Sequence, residues 1–356
     1  MARVGLVFGG RSVEHRVSVM SARTVAQALA DAGHEVVPLG IAPDGAWAGR
    51  EAGRAVLAGA ADALEPAGVP VAPTLARLVE DPPEVVFPLV HGTWGEDGTL
   101  QGLCEMLDLP YVGAGVTASA LAMDKLAAKR VLQAAGIPVV EYAGAHRALF
   151  EEAPACLLEA LPDHRGPFFV KPSVGGSSVG VRRVEERAGL GEAVRFAFRF
   201  DDAVLVERGV VGRELECAVL GLDRLAASAV GEIVPGREFY DYEDKYLSDA
   251  ARLIAPAELP EGVADEVRDL AVRAFRALGG SGMARVDFLL EDRTPYVNEI
   301  NTLPGFTRIS MYPRLWDLSG VPLPRLVDRL VEIAVDRHRG RRRLDAGIKE
   351  FLAGLG

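Results

Sequence analysis

The sequence has little cysteine, no long apolar run and no surplus of basic charge, and each shortage removes a class of function. Only three cysteines occur, Cys104, Cys156 and Cys217, far apart and with no Cys-x-x-Cys pair. That spacing argues against a zinc ribbon or a disulfide framework. Each cysteine is expected to be a small buried apolar residue. No apolar stretch reaches the roughly 18 residues that a membrane span needs. The N-terminus enters a strand pattern directly, without an apolar leader or small-residue cleavage site, so a soluble cytoplasmic protein is expected. Thirty-nine basic against 50 acidic residues leave a net charge of −11. No nucleic-acid partner and no membrane partner are therefore expected. Basic residues concentrate only at Arg337-His-Arg-Gly-Arg-Arg-Arg343, read as the solvated end of a last helix, where the helix dipole favours cations. Internal repeats, low-complexity tracts, a Walker A loop and a G-x-G-x-x-G fingerprint are all missing.

What is present suits a globular protein of two or three domains, at about 150 residues each for a chain of 356. Residues 4–8, 13–30 and 34–41 read as strand, helix and strand, a β-α-β unit that implies a parallel sheet. Residues 42–71 show no assignable pattern. Residues 85–90 form a buried strand that runs into His91-Gly-Thr-Trp-Gly-Glu96-Asp-Gly98. A helix is expected from the N-cap Asp124 past Lys125 and Lys129 to Gly136. Each of these lysines, i and i+4 on one face, would ordinarily be solvated. Strands at 168–171 and 179–184 flank a glycine-rich turn, and a strand at 203–206 ends on Glu207. Residues 231–260 form a long polar segment of the kind that serves as a lid. Helices are expected at 264–278 and, amphipathic, at 323–337.

Residues 285–301 carry the most chemical information. Apolar and polar residues alternate on both sides of a turn signal at Asp292-Arg293-Thr294-Pro295, which reads as a β-hairpin. A turn centred on Arg293 sets Asp287 opposite Glu299 and Leu289 opposite Val297, with Arg285, Asp287, Glu299 and Asn301 on one face. Two carboxylates facing each other repel, and a hard divalent cation reverses that sign. Oxygen donors from Asp, Glu and Asn suit Mg²⁺. Alternatively, the hairpin simply presents a solvated polar face. Lys171-Pro-Ser-Val-Gly-Gly-Ser177-Ser178-Val-Gly180 supplies glycines for close backbone approach, hydroxyl donors and a charge, as a phosphate cradle would. A plain glycine-rich hairpin turn would look the same. Glu14, placed in the first turn of the first helix, is explained by the helix dipole or by a substrate ammonium group.

Together with His91–Gly102, Met123-Asp-Lys125, residues 9–18 and Tyr240-Asp-Tyr-Glu-Asp-Lys245-Tyr246-Leu-Ser-Asp249, these segments resemble the D-alanine–D-alanine ligases of the ATP-grasp superfamily over residues 4–310. The resemblance implies an ATP-grasp fold, α/β and α+β, with an N-terminal α/β domain. The domains would be 1–118 on the substrate side, 119–207 with the glycine-rich loop, and 208–356 with the lid and metal site. It implies ATP-dependent joining of two D-alanines through an acyl phosphate, for peptidoglycan synthesis, in a cytoplasmic homodimer. By the same likeness, Asp287, Glu299 and Asn301 would hold two Mg²⁺ (or Mn²⁺) ions. Lys125, Lys171, Ser178 and Lys245 would meet ATP phosphates, with Glu207 at adenine and Glu214 at ribose. Glu14 would hold the first D-alanine's ammonium and hydrogen-bond with Ser177 and Tyr246. Arg285 and the Gly305 backbone would stabilise the oxyanion, and Ser310 would take the second substrate's carboxylate. His91 and Glu96 would lie near the substrates. Retention of Tyr246 favours a dipeptide over the D-alanine–D-lactate product of related ligases, some of which carry phenylalanine there. A nucleotide-binding ATP-grasp protein without ligase activity is the third reading.

Overall fold

The computed structural model describes residues 1–65, 76, 78–161, 164, 166–235 and 252–354. It opens with the expected β-α-β unit. Strand β1 (Arg3–Gly9) is followed by helix α1 (His15–Asp31) and strand β2 (Glu35–Ile41), which pairs parallel with β1. Residues 42–71, unreadable from composition, contain helix α2 (Arg50–Leu57). Strand β3 (Val85–Pro88) completes a parallel sheet of order β2-β1-β3. Its strands are apolar runs because helices and loops cover both faces.

Helices α3 (Thr99–Met106), α4 (Val116–Met123) and α5 (Lys125–Ala134) lead into a four-stranded antiparallel sheet. That sheet comprises β4 (Tyr142–His146), β5 (Phe168–Pro172), β6 (Arg182–Val184) and β7 (Ala203–Arg208), in the order β4-β7-β5-β6. Helices α6 (Arg147–Glu152), α7 (Pro154–Ala160) and α8 (Leu190–Ala197) accompany it, and Phe150, Phe168, Val194 and Phe198 form its core.

The third sheet has the order β10-β9-β8-β11-β12, built from β8 (Arg213–Gly221), β9 (Leu225–Val234), β10 (Arg252–Ile254), β11 (Gly282–Glu291) and β12 (Thr294–Asn301). Strict alternation on β11 does the positioning. Ala284, Val286, Phe288 and Leu290 pack with Val267, Leu270, Ala274 and Phe275 of helix α9 (Val263–Ala277). Each full burial of such an aliphatic or aromatic side chain stabilises by about 1.5–3 kcal/mol. Arg285, Asp287 and Leu289 must then face the other way, into the interior of the molecule. The base of the expected lid is ordinary hairpin: Ile233 and Val234 of β9 pair with Leu253 and Arg252 of β10. Residues 236–251, with Lys245 and Tyr246, lie outside the described residues.

The hairpin β11–β12 corrects one expected pair. Asp287 does face Glu299, and Arg285 faces Asn301, but Leu289 faces Tyr296 and Val297 faces Phe288. The turn is two residues, Asp292 and Arg293, since Glu291 pairs with Thr294. Asp292 takes the left-handed φ of 54° that such a turn requires. A bulge between Asp287 and Phe288 then absorbs Asn298 as the extra residue. Even turn plus bulge restores the pairing at 287 and 299 that a three-residue turn would have set.

After α10 (Met311–Leu318), helix α11 runs from Leu323 to Ala353, well past the expected end at 337. Its Leu326, Val327, Leu330 and Val331 share one core with Val19, Ala22 and Val25 of α1. The basic run is therefore mid-helix rather than at the helix end, and its Arg339, Arg341, Arg342 and Arg343 are solvent-exposed as expected. Arg337 is half-buried, donates from Nη2 to the Tyr111 carbonyl at 2.7 Å and from Nη1 to the Gly113 carbonyl, and stacks 4.3 Å over the Tyr111 ring. Arg341 pairs with Glu105, and Arg342 and His338 pair with Asp108. Cys104 and Cys217 are buried as expected, and burial pushes both thiols up to about 12. Cys156 is exposed, because the short helix α7 turns it to solvent. No described helix is long and apolar enough to cross a membrane.

Candidate active site

All the described residues to which the resemblance gives a role line one cavity of about 860 Å³. Glu14, His91 and Glu96 come from the first region, Lys125, Lys171, Ser177, Ser178 and Glu207 from the second. Glu214, Arg285, Asp287, Glu299, Asn301, Gly305 and Ser310 come from the third.

The glycine-rich loop between β5 and β6 is tied to the start of α5. Asp124 caps that helix by accepting from the Ala127 amide at 3.0 Å, and it also accepts from the Ser173 hydroxyl at 2.5 Å. Lys125 Nζ reaches into the loop and donates to the Gly175 carbonyl at 2.6 Å. Ser177 and Ser178 both hold left-handed backbone, φ 51° and 58°, a conformation rarely kept by non-glycine residues outside special sites. It turns the Ser177 hydroxyl onto Glu14, donating to Oε1 at 2.6 Å across 163 residues of sequence. Glu14 itself is the N-cap residue just ahead of α1 rather than a member of its first turn. Gly92 stands so close that a Cβ there would lie 3.0 Å from Glu14 Oε2.

A buried cluster of two cations around one anion lies deeper. Glu207 Oε1 is 2.5 Å from Lys129 Nζ, and Oε2 is 2.5 Å from Lys171 Nζ. Burial opposes ionisation of Glu207, yet the two ammonium groups outweigh it and hold the carboxyl down at about 2. Burial likewise works against the Lys171 charge, but Glu207, Glu299 and Glu214 raise its pKa overall. Lys129, expected to be solvated, is 2% exposed. Its i+4 spacing from Lys125 on one helix face was the available signal.

The hairpin supplies the opposite imbalance. Arg285 forms a bidentate pair with Asp287, Nε to Oδ1 and Nη2 to Oδ2, both at 2.6 Å. Asn301 donates to Asp287 Oδ2 at 2.9 Å. Glu216, not singled out from sequence, lies on β8 directly opposite Asp287 and 3.1 Å from Arg285 Nε. Period-2 spacing from Glu214 placed it on the same face. Burial penalises the Arg285 charge, but Asp287, Glu216 and Glu299 raise its pKa well above the usual value. Among the described residues no group of three His, Cys, Asp or Glu side chains is set to hold a metal by itself. The two opposed carboxylates and the Asn301 amide nevertheless fit Mg²⁺, which takes one or two protein carboxylates and completes its shell with phosphates and water.

The turn after β12 closes the cavity. His91 is the junction: Nδ1 lies 3.0 Å from the Leu303 carbonyl and 3.5 Å from Glu96 Oε1, and Nε2 lies 3.1 Å from Ser21 Oγ. Ser21 Oγ in turn accepts from the Phe306 amide at 3.1 Å. Burial would lower the His91 pKa, but Glu96, Glu14 and the Leu303 carbonyl leave it raised; burial raises Glu96. A Cβ at Gly305 would sit 2.8 Å from Ser310 Oγ, so a side chain there fits only if Ser310 shifts. That hydroxyl accepts from the Thr307 amide at 3.0 Å and lies 2.8 Å from Thr307 Oγ1.

Two family models match the chain. The family model described as D-ala D-ala ligase N-terminus matches residues 3–114, and the one described as D-ala D-ala ligase C-terminus matches residues 131–332. The chain belongs to the D-alanine–D-alanine ligase family. A D-alanine–D-alanine ligase of Solibacter usitatus is 46% identical, covering 95% of this chain and 96% of that protein. One of Mycolicibacterium smegmatis is 47% identical over 96% and 97%. Among solved structures, the D-alanine–D-alanine ligase of Coxiella burnetii superposes with a TM-score of 0.78 at 34% identity, covering 98% of each chain. The VanG D-Ala:D-Ser ligase of Enterococcus faecalis gives 0.79 at 34% identity, over 93% and 98%. The ATP-grasp architecture expected from the motifs is thus the architecture found.

Proposed function

We propose that this chain joins two molecules of D-alanine into D-alanyl-D-alanine with conversion of ATP to ADP and phosphate, supplying the peptidoglycan precursor route in the cytoplasm as a homodimer. One observation carries the reading: a single cavity unites the glycine-rich loop, the acidic hairpin and Glu14, with Ser177 hydrogen-bonded to Glu14. Regions 1–118, 119–207 and 208–356 supply the substrate side, the phosphate loop, and the lid with the metal site.

In this reading Glu14 holds the ammonium of the first D-alanine, with Ser177 and Tyr246 fixing the carboxylate. Lys125, Lys171, Ser178 and Lys245 hold ATP phosphates, Glu207 lies at the adenine and Glu214 at the ribose. Asp287, Glu299 and Asn301 hold two Mg²⁺ or Mn²⁺ ions, which when bound offset charge on the transferring phosphoryl group. A D-alanine carboxylate oxygen attacks the γ-phosphorus, ADP leaves, and an acyl phosphate forms. The amine of the second D-alanine, placed by Ser310, attacks the carbonyl carbon. Arg285 and the Gly305 amide stabilise the tetrahedral oxyanion, phosphate departs, and the nitrogen loses a proton. His91 and Glu96 hold the substrate-side turn. Such catalysis is positioning and charge stabilisation, which these residue types provide.

The test is phosphate release from ATP and Mg²⁺ with D-alanine, L-alanine, or D-alanine plus D-lactate, with products identified by mass. Dipeptide from D-alanine alone is expected. A depsipeptide as main product would reassign the second-substrate site, and nucleotide binding without turnover would leave a regulatory protein.

A further inference from the structure

We infer that Glu216 is a positioning residue that keeps Arg285 in place when a divalent cation takes Asp287 away from it. The inference rests on the reading of Asp287 and Glu299 as cation ligands. Asp287 faces Glu216 on β8 and Glu299 on β12, so three carboxylates stand in one row across three adjacent strands. The neighbouring row holds Ala218, Arg285 and Asn301. Alanine at 218 leaves space for the guanidinium to fold back over the carboxylate row. Arg285 does so, with Nε shared between Asp287 Oδ1 at 2.6 Å and Glu216 Oε1 at 3.1 Å. Both Asp287 oxygens are thereby engaged by Arg285.

The same oxygens cannot serve a cation and a bidentate guanidinium at full strength. When the cation binds, Arg285 loses its nearer acceptor and gains a positive neighbour. A buried charge that loses its partner is costly, and Arg285 side-chain exposure is only 21%. Glu216 is 5% exposed and already within reach of Nε, so the guanidinium shifts its weight onto it without leaving the site. Glu216 thus lowers the cost of loading the cation and leaves Arg285 oriented toward the substrate. It acts through Arg285 and needs no contact with substrate.

Mn²⁺ binding in the presence of ADP, measured by electron paramagnetic resonance, tests this in a double-mutant cycle. Glu216→Gln is expected to weaken Mn²⁺ about tenfold in the native background and at most about twofold in the Arg285→Met background, a coupling of at least about 1 kcal/mol. In turnover, Glu216→Gln should lower kcat while leaving the KM for ATP unchanged, and Glu216→Asp should recover much of both properties. Equal weakening in both backgrounds would mean simple attraction between carboxylate and cation and would overturn the proposal, as would no weakening at all. If Glu216→Gln does not fold, Glu216→Thr in the same cycle decides, with a native-background effect that vanishes alongside Arg285→Met as the supporting result. If native protein with ADP binds no Mn²⁺, the cation-site reading itself fails, which is a separate outcome.

Discussion

Two ion clusters that share one cavity are built with opposite surpluses. Around Glu207 two ammonium groups share one carboxylate. Around Arg285 three carboxylates surround one guanidinium, two of them in contact and Glu299 acting at longer range. A purely structural ion pair is balanced, because desolvation penalises any unmatched charge. Surpluses of opposite sign in one cavity therefore indicate what is meant to lie between them. A polyanion is attracted to the lysine end and a cation to the carboxylate end, and a nucleotide with its divalent ions satisfies both. Glu207 also shows that the lysine end is held together by its own anion, which the carboxylate end has in Arg285 with reversed sign.

Asp287→Asn attacks the difference at its largest. Removing one carboxylate from the acidic end should lower Mg²⁺-dependent turnover about a thousandfold, several kcal/mol of barrier. The melting temperature should stay near that of the parent, as calorimetry can show. Loss of folding instead of activity would make Asp287 a structural residue.

Glu207→Gln should do the reverse. It leaves the buried Lys129 and the partly buried Lys171 with no carboxylate between them, a loss of about 3–5 kcal/mol by chemical denaturation. The pH dependence has a definite sign. The folded-state pKa of Glu207 is depressed to about 2, so its contribution is complete above the ordinary glutamate value of about 4.3 and fades as pH falls from there to about 2. Denaturant titrations between pH 6 and 2 should show a steeper acid loss in the parent than in Glu207→Gln.

Arg337→Leu is the comparison outside the cavity. It removes a half-buried guanidinium that serves two backbone carbonyls, at Tyr111 and Gly113. Stability should fall by about 1–3 kcal/mol with kcat unchanged; a large drop in kcat would mean that α11 is coupled to the site. Smallest of all, Gly305→Ala should lower kcat about tenfold, 1.4 kcal/mol, by pushing its new methyl against Ser310 Oγ. Steady-state kinetics with unchanged ATP affinity would show it.

How much of this was legible depended on period and parity. The Asp287–Glu299 pairing could be read because a two-residue period fixes faces, and the glycine loop because its composition is local. The bulge at Asn298 could not, since an even turn with one bulge and an odd turn give the same pairing beyond it. Lys129 gave only its spacing; its burial follows from Glu207, which lies on a strand 78 residues away and faces it only in the folded chain. Helix α11 outran its expected end because Arg337, Arg341, Arg342 and His338 find partners on the first region, and no local pattern encodes those partners. Glu216 is not legible because a single buried glutamate reads from sequence as a surface one.

The most direct test follows one oxygen atom. D-alanine labelled with ¹⁸O in its carboxylate, incubated with ATP and Mg²⁺, should yield D-alanyl-D-alanine together with inorganic phosphate that carries one ¹⁸O per molecule. Dipeptide accompanied by unlabelled phosphate would rule out the acyl phosphate, and labelled D-alanine left unjoined would contradict the ligase itself.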